Sequence, residues 1–385
     1  MAGIAFVSQN RIYFLDGGRI TEIPCGRLEK YREALAGIRR RTEWKTTGTG
    51  AKFMGQTGMP ADDESNIYAQ IGGIACYDGR LVYGIRLDES GSIYIRSLDP
   101  SDTDENLVVS GKEIFPGRMS CLDNILAVSC GANDLEMHIS AYELPSSVCR
   151  EYTDGDSIEE APSFDGKNRI YFSTAGYARD GAGRIAAVQN KSIVCLDTAR
   201  CVMDEVISDE KYDYLYPKSD GCGGLYAVRR TAGGEKTGDG GNILLDIIKL
   251  PYRLIKALAG LLNMFSIIFG GESLKSGGKS NAKAKQQDRK QLFIDGNIVN
   301  AEKNMQEAQR RGEKYPGIMP QSSVLVHIGP DGKEDIILRG VLDYTLLADG
   351  NLAVSNGSHI MICGIDGSEI SAVKADRAVC LTEII

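Results

Sequence analysis

The sequence predicts an all-β fold, a six-bladed β-propeller with a long, partly helical insertion. Three observations predict it. One pattern of turn, aliphatic residue and alternating strand occurs six times, the spacing of the copies centres on that of a propeller blade, and the two chain ends both read as strands. The copies are Arg11-Ile12-Tyr13-Phe14, Arg80-Leu81-Val82-Tyr83-Gly84, Ile125-Leu126-Ala127-Val128-Ser129, Arg169-Ile170-Tyr171-Phe172-Ser173, Gly224-Leu225-Tyr226-Ala227-Val228 and Asn351-Leu352-Ala353-Val354-Ser355. Asp78-Gly79, Asp123-Asn124, Asp165-Gly166 and Asp349-Gly350 precede four of them, pairs suited to the positive φ angles of tight hairpins. Successive aliphatic anchors lie 69, 45, 44, 55 and 127 residues apart, and a unit of about 40–45 residues carrying several short strands is a blade.

A second strand follows most copies: Ser92-Ile93-Tyr94-Ile95, Met137-His138-Ile139-Ser140, Ser192-Ile193-Val194-Cys195, Val324-Leu325-Val326-His327 and His359-Ile360-Met361-Ile362. Four antiparallel strands per blade fit this order. Ala378-Val379-Cys380-Leu381 has no blade of its own, and pairing it with Ile4-Ala5-Phe6-Val7 closes the ring and removes two exposed sheet edges. A seventh blade has one place to hide, a degenerate unit within Ala51 to Ile67. The chain divides into blades over 1–231 with a basic helical insert near 27–66, an amphipathic helix and basic linker over 232–320, and final strands with ring closure over 321–385.

The segment Ala161-Pro162-Ser163-Phe164-Asp165-Gly166-Lys167-Asn168-Arg169-Ile170-Tyr171-Phe172-Ser173 resembles the P-S-[WF]-S-P-D-G-K repeat of TolB-like and related WD40-like propellers, lacking its second Ser-Pro. The resemblance covers about 13 residues closely and the other units only in turn and strand. It implies a fold and no particular activity, because propellers serve as scaffolds, receptors and enzymes.

At 385 residues, 42% hydrophobic and 25% charged, the composition is that of a globular protein with a large core. Cys76, Cys121, Cys130, Cys195, Cys363 and Cys380 fall in or beside strand patterns, where a free thiol acts as a small apolar group. The start, Met1-Ala2-Gly3-Ile4, has no basic region followed by an apolar stretch. The expectation is a cytoplasmic, reduced protein, peripheral at the inner face of the membrane if it docks there.

No cofactor or metal is expected. His138, His327 and His359 occupy comparable strands of different blades without a close-spaced ligand pattern. Ser/His/Asp catalysis has no G-x-S-x-G elbow to anchor it. Asp154, Asp156, Glu159 and Glu160 lack the ligand order of an EF-hand and are expected in a solvated loop between blades.

Two segments break the repeat, and both are basic. Arg27 to Lys52 carries eight Lys/Arg against three Glu, with Leu28, Tyr31, Leu35 and Ile38 on one face of a short helix ending in Arg39-Arg40-Arg41. Thr46 to Lys52 lacks phosphate-loop spacing, and Trp44 is expected to pack the insert against the propeller. The second begins with the Gly-rich stretch Ala232 to Gly241 and continues into an apolar run through Phe269, interrupted at 246, 249, 253, 256, 263 and 266, which are helical spacings. Leu254 to Phe269 is shorter than the ~20 apolar residues of a bilayer crossing. Glu272 to Lys290 reads as a basic, polar linker, and Asn297 to Gly312 as a further helix with Glu302, Lys303, Glu307, Arg310 and Arg311 solvated. From Lys249 to Lys290 there are nine Lys/Arg against two acidic residues, net +7, in a chain of net −8.

An apolar helix beside a basic flank suits an anionic membrane surface or a protein groove. The expected function is therefore a non-enzymatic scaffold, with an unidentified protein or an anionic membrane as partner. Leu254, Ile255, Leu258, Leu261, Leu262, Phe265, Ile268 and Phe269 would supply apolar contact, and Lys249, Arg253 and Lys256 electrostatic attraction. Nucleic acid is disfavoured, because few aromatic residues interleave with the basic ones. The alternative is an enzyme or small-ligand-binding propeller with its site in the central funnel and the insertion as a lid.

Overall fold

The computed structural model describes residues 3–46, 69–87, 90–133, 135–181, 183–232, 291–294 and 297–384. Six sheets form a ring. The first blade joins β1 (Gly3–Ser8), β2 (Arg11–Asp16) and β3 (Arg19–Ile23) to the last strand of the chain, β27 (Val379–Ile384), in the order β27-β1-β2-β3. Ala5 faces Thr382 and Gly3 faces Ile384, so the predicted closure of the ring is present. Ile12 thereby falls on the third strand of its blade, whereas the other five anchors fall on second strands, because β27 takes the innermost place.

Helix α1 (Gly26–Thr46) connects to the second blade, β4 (Ala69–Tyr77), β5 (Arg80–Leu87), β6 (Gly91–Arg96) and β7 (Glu105–Gly111). The third is β8 (Met119–Leu122), β9 (Ile125–Asn133), β10 (Glu136–Glu143) and β11 (Val148–Glu151). The fourth is β12 (Ser157–Phe164) and β13 (Arg169–Arg179), with β14 (Ile185–Val188) beside β13, then β15 (Ser192–Asp197) and β16 (Val202–Ile207). The fifth begins with β17 (Tyr212–Ser219) and β18 (Leu225–Thr231). The long insertion follows, and within it lie the hairpin β19 (Gln291–Ile294) and β20 (Asn297–Asn300) and helix α2 (Ala301–Arg310). The blade is completed by β21 (Val324–Ile328) and β22 (Glu334–Arg339). The sixth is β23 (Asp343–Leu346), β24 (Leu352–Ser355), β25 (His359–Cys363) and β26 (Glu369–Lys374).

The innermost strands β27, β4, β8, β12, β17 and β23 pack side by side around the axis. Because β27 contacts β4 directly, no seventh blade stands between them. The apolar cores lie between neighbouring blades, as in the cluster of Val7, Ile12, Leu81 and Tyr83 between the first and second. Gly72 and Gly73 permit the second blade to meet the third. A Cβ on Gly72 would lie 1.7 Å from the Pro116 carbonyl oxygen, so no other residue fits without moving backbone.

The helices depart from expectation in extent. Leu28 is buried, Tyr31 packs against the same core and Ile38 is exposed, but α1 runs past Arg39-Arg40-Arg41 to Thr46. Arg, Thr, Glu and Lys propagate a helix well enough that the arginine run does not stop it. Glu105 of β7 anchors its start, accepting from the N–H groups of Gly26 (3.0 Å) and Arg27 (2.9 Å) and from the Tyr83 hydroxyl (2.6 Å). Burial and that same carboxylate push the nearby Cys25 thiol up to about 12. The helix expected over Asn297 to Gly312 begins only at Ala301: residues 297–300 pair with β19, and the Asn300 side chain caps α2 by accepting the Lys303 N–H at 3.1 Å.

Candidate ligand site in the central channel

The docking residues expected from the sequence, Lys249, Arg253, Leu254, Ile255, Lys256, Leu258, Leu261, Leu262, Phe265, Ile268 and Phe269, lie outside the described residues. So does the expected linker Glu272 to Lys290. The part of the insertion that is described returns to the propeller at the end where the inner strands begin. Val299, Ile318 and Met319 form a buried cluster with Leu342, joined by Leu292, Met305 and Val379. Leu342 and Val379 are the residues immediately before Asp343 and Cys380. Asn304 of α2 ties this cap down by donating to the Ile318 carbonyl at 2.9 Å.

Beneath it the six inner strands enclose a cavity of about 290 Å³, lined among others by Arg118, Tyr216, Lys218, Cys380 and Glu383. A regular strand turns alternate residues to one side. Here Tyr216, Pro217 and Lys218 all line the cavity, as do Ala161 with Pro162 and every residue from Cys380 to Glu383. Three of these strands also carry β-bulges. The pairing register slips between Glu160 and Ser163, between Leu215 and Lys218, and opposite Cys380. Ala161, Tyr216 and Cys380 accordingly take φ values of 56°, 57° and 53°. Non-glycine residues hold that conformation at a cost of about 1–3 kcal/mol each, so the surroundings must enforce it.

Asp343 supplies much of that enforcement. It is 1% exposed, and its Oδ2 accepts from the Cys380 N–H at 2.6 Å and from Arg118 at 2.7 Å, while Oδ1 accepts from the Tyr344 N–H at 2.7 Å. The Tyr344 hydroxyl donates to the Tyr216 carbonyl at 2.8 Å, fixing the second bulge. Arg118 lies over the Tyr216 ring at 3.7 Å. Burial works against the Arg118 cation, but Asp343, helped by Cys380 and Tyr216, holds its pKa well above the ordinary value.

Lys218 is the exception. Among the described residues its ammonium meets no hydrogen-bond acceptor and forms no ion pair. Burial pushes its pKa down, Asp343 pulls it back, and Arg118 pushes it down further. Asp343 is already committed to Arg118 and two backbone donors, so the channel holds two cations against one engaged carboxylate at this level. Toward the other end, Glu383 accepts from the Ala348 N–H at 2.7 Å through Oε2, while its buried Oε1 has no donor. Burial raises the Glu383 pKa. The Cys121 thiol in the same wall is pushed up to about 12, chiefly by burial and further by Cys76 and Asp123, so it stays protonated and unreactive at neutral pH.

Outside the channel, each histidine is held within the strand pattern. His138 Nδ1 lies 2.6 Å from Glu159, His327 Nε2 lies 2.8 Å from Asp220, and His359 Nδ1 lies 2.8 Å from the Ser358 hydroxyl. Only half of the acidic cluster is the expected solvated loop between blades: Asp154 and Asp156 lie exposed between the third and fourth blades. Glu159 and Glu160 belong to β12; Glu159 is 4% exposed and also accepts from Thr153 and Ser157, Glu160 pairs with Lys191, and Asp156 pairs with Arg179. The carboxylate of Glu159 joins the third blade to the fourth, a role that a list of acidic residues does not reveal.

No protein-family profile and no curated protein matches the chain. Among solved structures, TolB from Acinetobacter baumannii superposes on the whole chain with a TM-score of 0.50 at 10% identity. The chain has a six-bladed β-propeller fold that resembles this TolB. It spans 66% of the length of that TolB. A putative TolB from Agrobacterium tumefaciens matches 60% of the chain at 13% identity with a TM-score of 0.38, and the chain covers 67% of it. A puromycin hydrolase matches 42% of the chain at 9% identity with a TM-score of 0.32 and is covered over 25% of its length. At these identities the likeness to TolB is one of fold.

The motif that carried the TolB-like resemblance also marks the channel. Tyr216-Pro217-Lys218-Ser219-Asp220-Gly221 repeats Ala161-Pro162-Ser163-Phe164-Asp165-Gly166 at an offset of 55 residues, and the two bulges coincide. Lys218 stands where the fourth blade has Ser163. That parallel was present in the sequence and marks the fifth blade's unit as one that places a cation in the lumen.

Proposed function

We propose that this TolB-like propeller is a binding protein whose central channel receives a small charged molecule. The observation that supports the reading is Lys218, a cation in the wall of a 290 Å³ cavity with no anion of its own among the described residues. A half-buried charge without a partner is unfavourable in the empty protein, and a bound ligand relieves that cost. The cavity is at the small end of the usual range for ligand sites, and its wall is more polar than apolar, with Arg118, Lys218, Glu383 and the hydroxyls of Ser120, Thr345 and Thr382 beside Ile74, Met119, Leu346 and Leu381, which suits a charged molecule. The described part of the insertion packs on Leu342 and Val379, beside two of the inner strands, which supports a lid.

A panel of small organic acids, amines and amphoteric compounds, screened by thermal shift, tests this. At least one class should raise the melting temperature of the unmodified chain, and Ser120→Trp, which fills the channel from β8, should abolish the response. No stabilisation by any class, or equal stabilisation of the filled variant, contradicts the reading.

A second reading concerns the insertion, on the strength of its sequence: an apolar helical pattern beside a segment of net +7. In this reading residues 243–290 attach the propeller to an anionic membrane surface or a protein groove in the cytoplasm. Flotation with anionic and neutral vesicles, with and without residues 243–290, decides it. Anionic vesicles should carry only the full chain, and failure of the full chain to float with either kind removes the membrane partner.

A further inference from the structure

We propose that the channel ligand is a small zwitterion of the short-peptide type, its carboxylate met by Lys218 and its ammonium by Glu383. This rests on the channel being a ligand site. Two half-buried groups of opposite charge line one cavity, and among the described residues each has an unanswered charge: the Lys218 ammonium meets no acceptor, and the buried Glu383 Oε1 meets no donor. They do not satisfy each other. Lys218 senses Asp343, Arg118 and Cys380, whereas Glu383 senses Ala348 and Asp349.

A simple anion would answer Lys218 and leave the Glu383 oxygen bare, and a simple cation would do the reverse. A molecule carrying both charges answers both and enters with no net charge, which keeps its own desolvation small. The spacing sets its length. Cys380, which shares the surroundings of Lys218, lies three residues before Glu383 on β27, about 10 Å along the strand at ~3.3 Å per residue. An extended peptide spans at most ~3.5 Å per residue, so two or three residues bridge the gap. Tyr216, Met119, Leu381 and Leu346 give the intervening backbone and small side chains an apolar wall, and Ser120, Thr345 and Thr382 offer hydroxyls to its amide groups.

Isothermal titration of the full chain with trialanine, N-acetyltrialanine and trialaninamide tests the assignment. Free trialanine should bind about tenfold or more tighter than either capped form, because each cap deletes one charge-assisted contact. Lys218→Met should erase the discrimination against the amide and keep that against the acetylated form, and Glu383→Gln should do the opposite. Should either variant fail to fold, the three peptides on the unmodified chain decide the matter. Capped forms binding as tightly as the free peptide overturn the proposal, as does the absence of binding by all three. If the thermal-shift panel still finds a ligand that Ser120→Trp excludes, the channel site stands with a different occupant; if it finds none, both readings fail.

Discussion

Replacing Asp343 by Asn probes the group that holds the channel together. The side chain keeps its size, but it no longer carries a charge and presents only one acceptor oxygen. In the native protein Oδ1 serves the Tyr344 N–H and Oδ2 serves both Cys380 N–H and Arg118. Whichever way the new amide is turned, its NH₂ group faces at least one backbone donor. An orphaned buried N–H costs about 1–3 kcal/mol. Arg118, 21% exposed, also loses its counter-ion and keeps only the face of Tyr216. Breaking a buried pair from one side costs about 3–5 kcal/mol, and the partial exposure of Arg118 places the expected total near the lower figure. Urea unfolding monitored by intrinsic fluorescence gives the value. Arg118→Met combined with Asp343→Asn should cost less than the two single changes added together, because the second removes a charge already stranded by the first. A loss below about 1 kcal/mol for Asp343→Asn, or strict additivity, would refute the account of the bulge and its cation.

Further outcomes follow from the same structure. Deleting residues 376–385 removes β27 and exposes the edge of β1, so the truncated chain should aggregate or lose cooperative unfolding in a denaturant titration; unfolding like the full chain would contradict the ring closure. Glu105→Ala strips the start of α1 of its acceptor and removes the counter-ion of Arg96, whose side chain is 2% exposed, lies 3.7 Å from that carboxylate and would keep only the carbonyls of Pro24, Ser97, Asp99 and Asp102. It should cost about 3 kcal/mol and open the peptide bonds after Arg27 and Lys30 to trypsin; unchanged proteolysis would show that α1 is held otherwise. All ten cysteines are free, so adding a reducing agent should leave the thermal transition in place, and a large drop would reveal a disulfide. Because the folded pKa of Lys218 lies below the unfolded one, the unfolded chain binds more protons in the interval between them. Stability should therefore rise with pH across that interval, up to about 10.4, and Lys218→Met should remove this rise and stabilise the protein at neutral pH by about 1 kcal/mol.

The architecture was legible in the chain because a blade is a local unit. The turn before each anchor, the alternation within each strand and the unpaired strands at 4–7 and 378–381 are all short-range signals, and they yield six blades and a closed ring. Even there, nothing near Ile12 shows that the far end of the chain occupies the innermost position of its blade and moves this anchor to the third strand. The channel is a different kind of object. Arg118, Lys218 and Asp343 come from three different blades and Cys380 with Glu383 from a fourth, and no local pattern in the chain brings them together. Only the repeated Pro-x-x-Asp-Gly units at Pro162 and Pro217 signalled it. Glu159 was assigned to a loop because its neighbours are polar, whereas a histidine one blade away makes burial tolerable.

The most direct measurement of the central claim is the titration of Lys218 itself. Lysine labelled with ¹³C at Cε and ¹⁵N at Nζ, with the resonance assigned by its loss in Lys218→Met, reports the protonation midpoint of this one side chain by NMR. The account predicts a midpoint below those of the surface lysines, moving upward when trialanine binds and supplies the missing carboxylate. A midpoint among the surface lysines, near the ordinary value of about 10.4 and unmoved by the peptide, would contradict it.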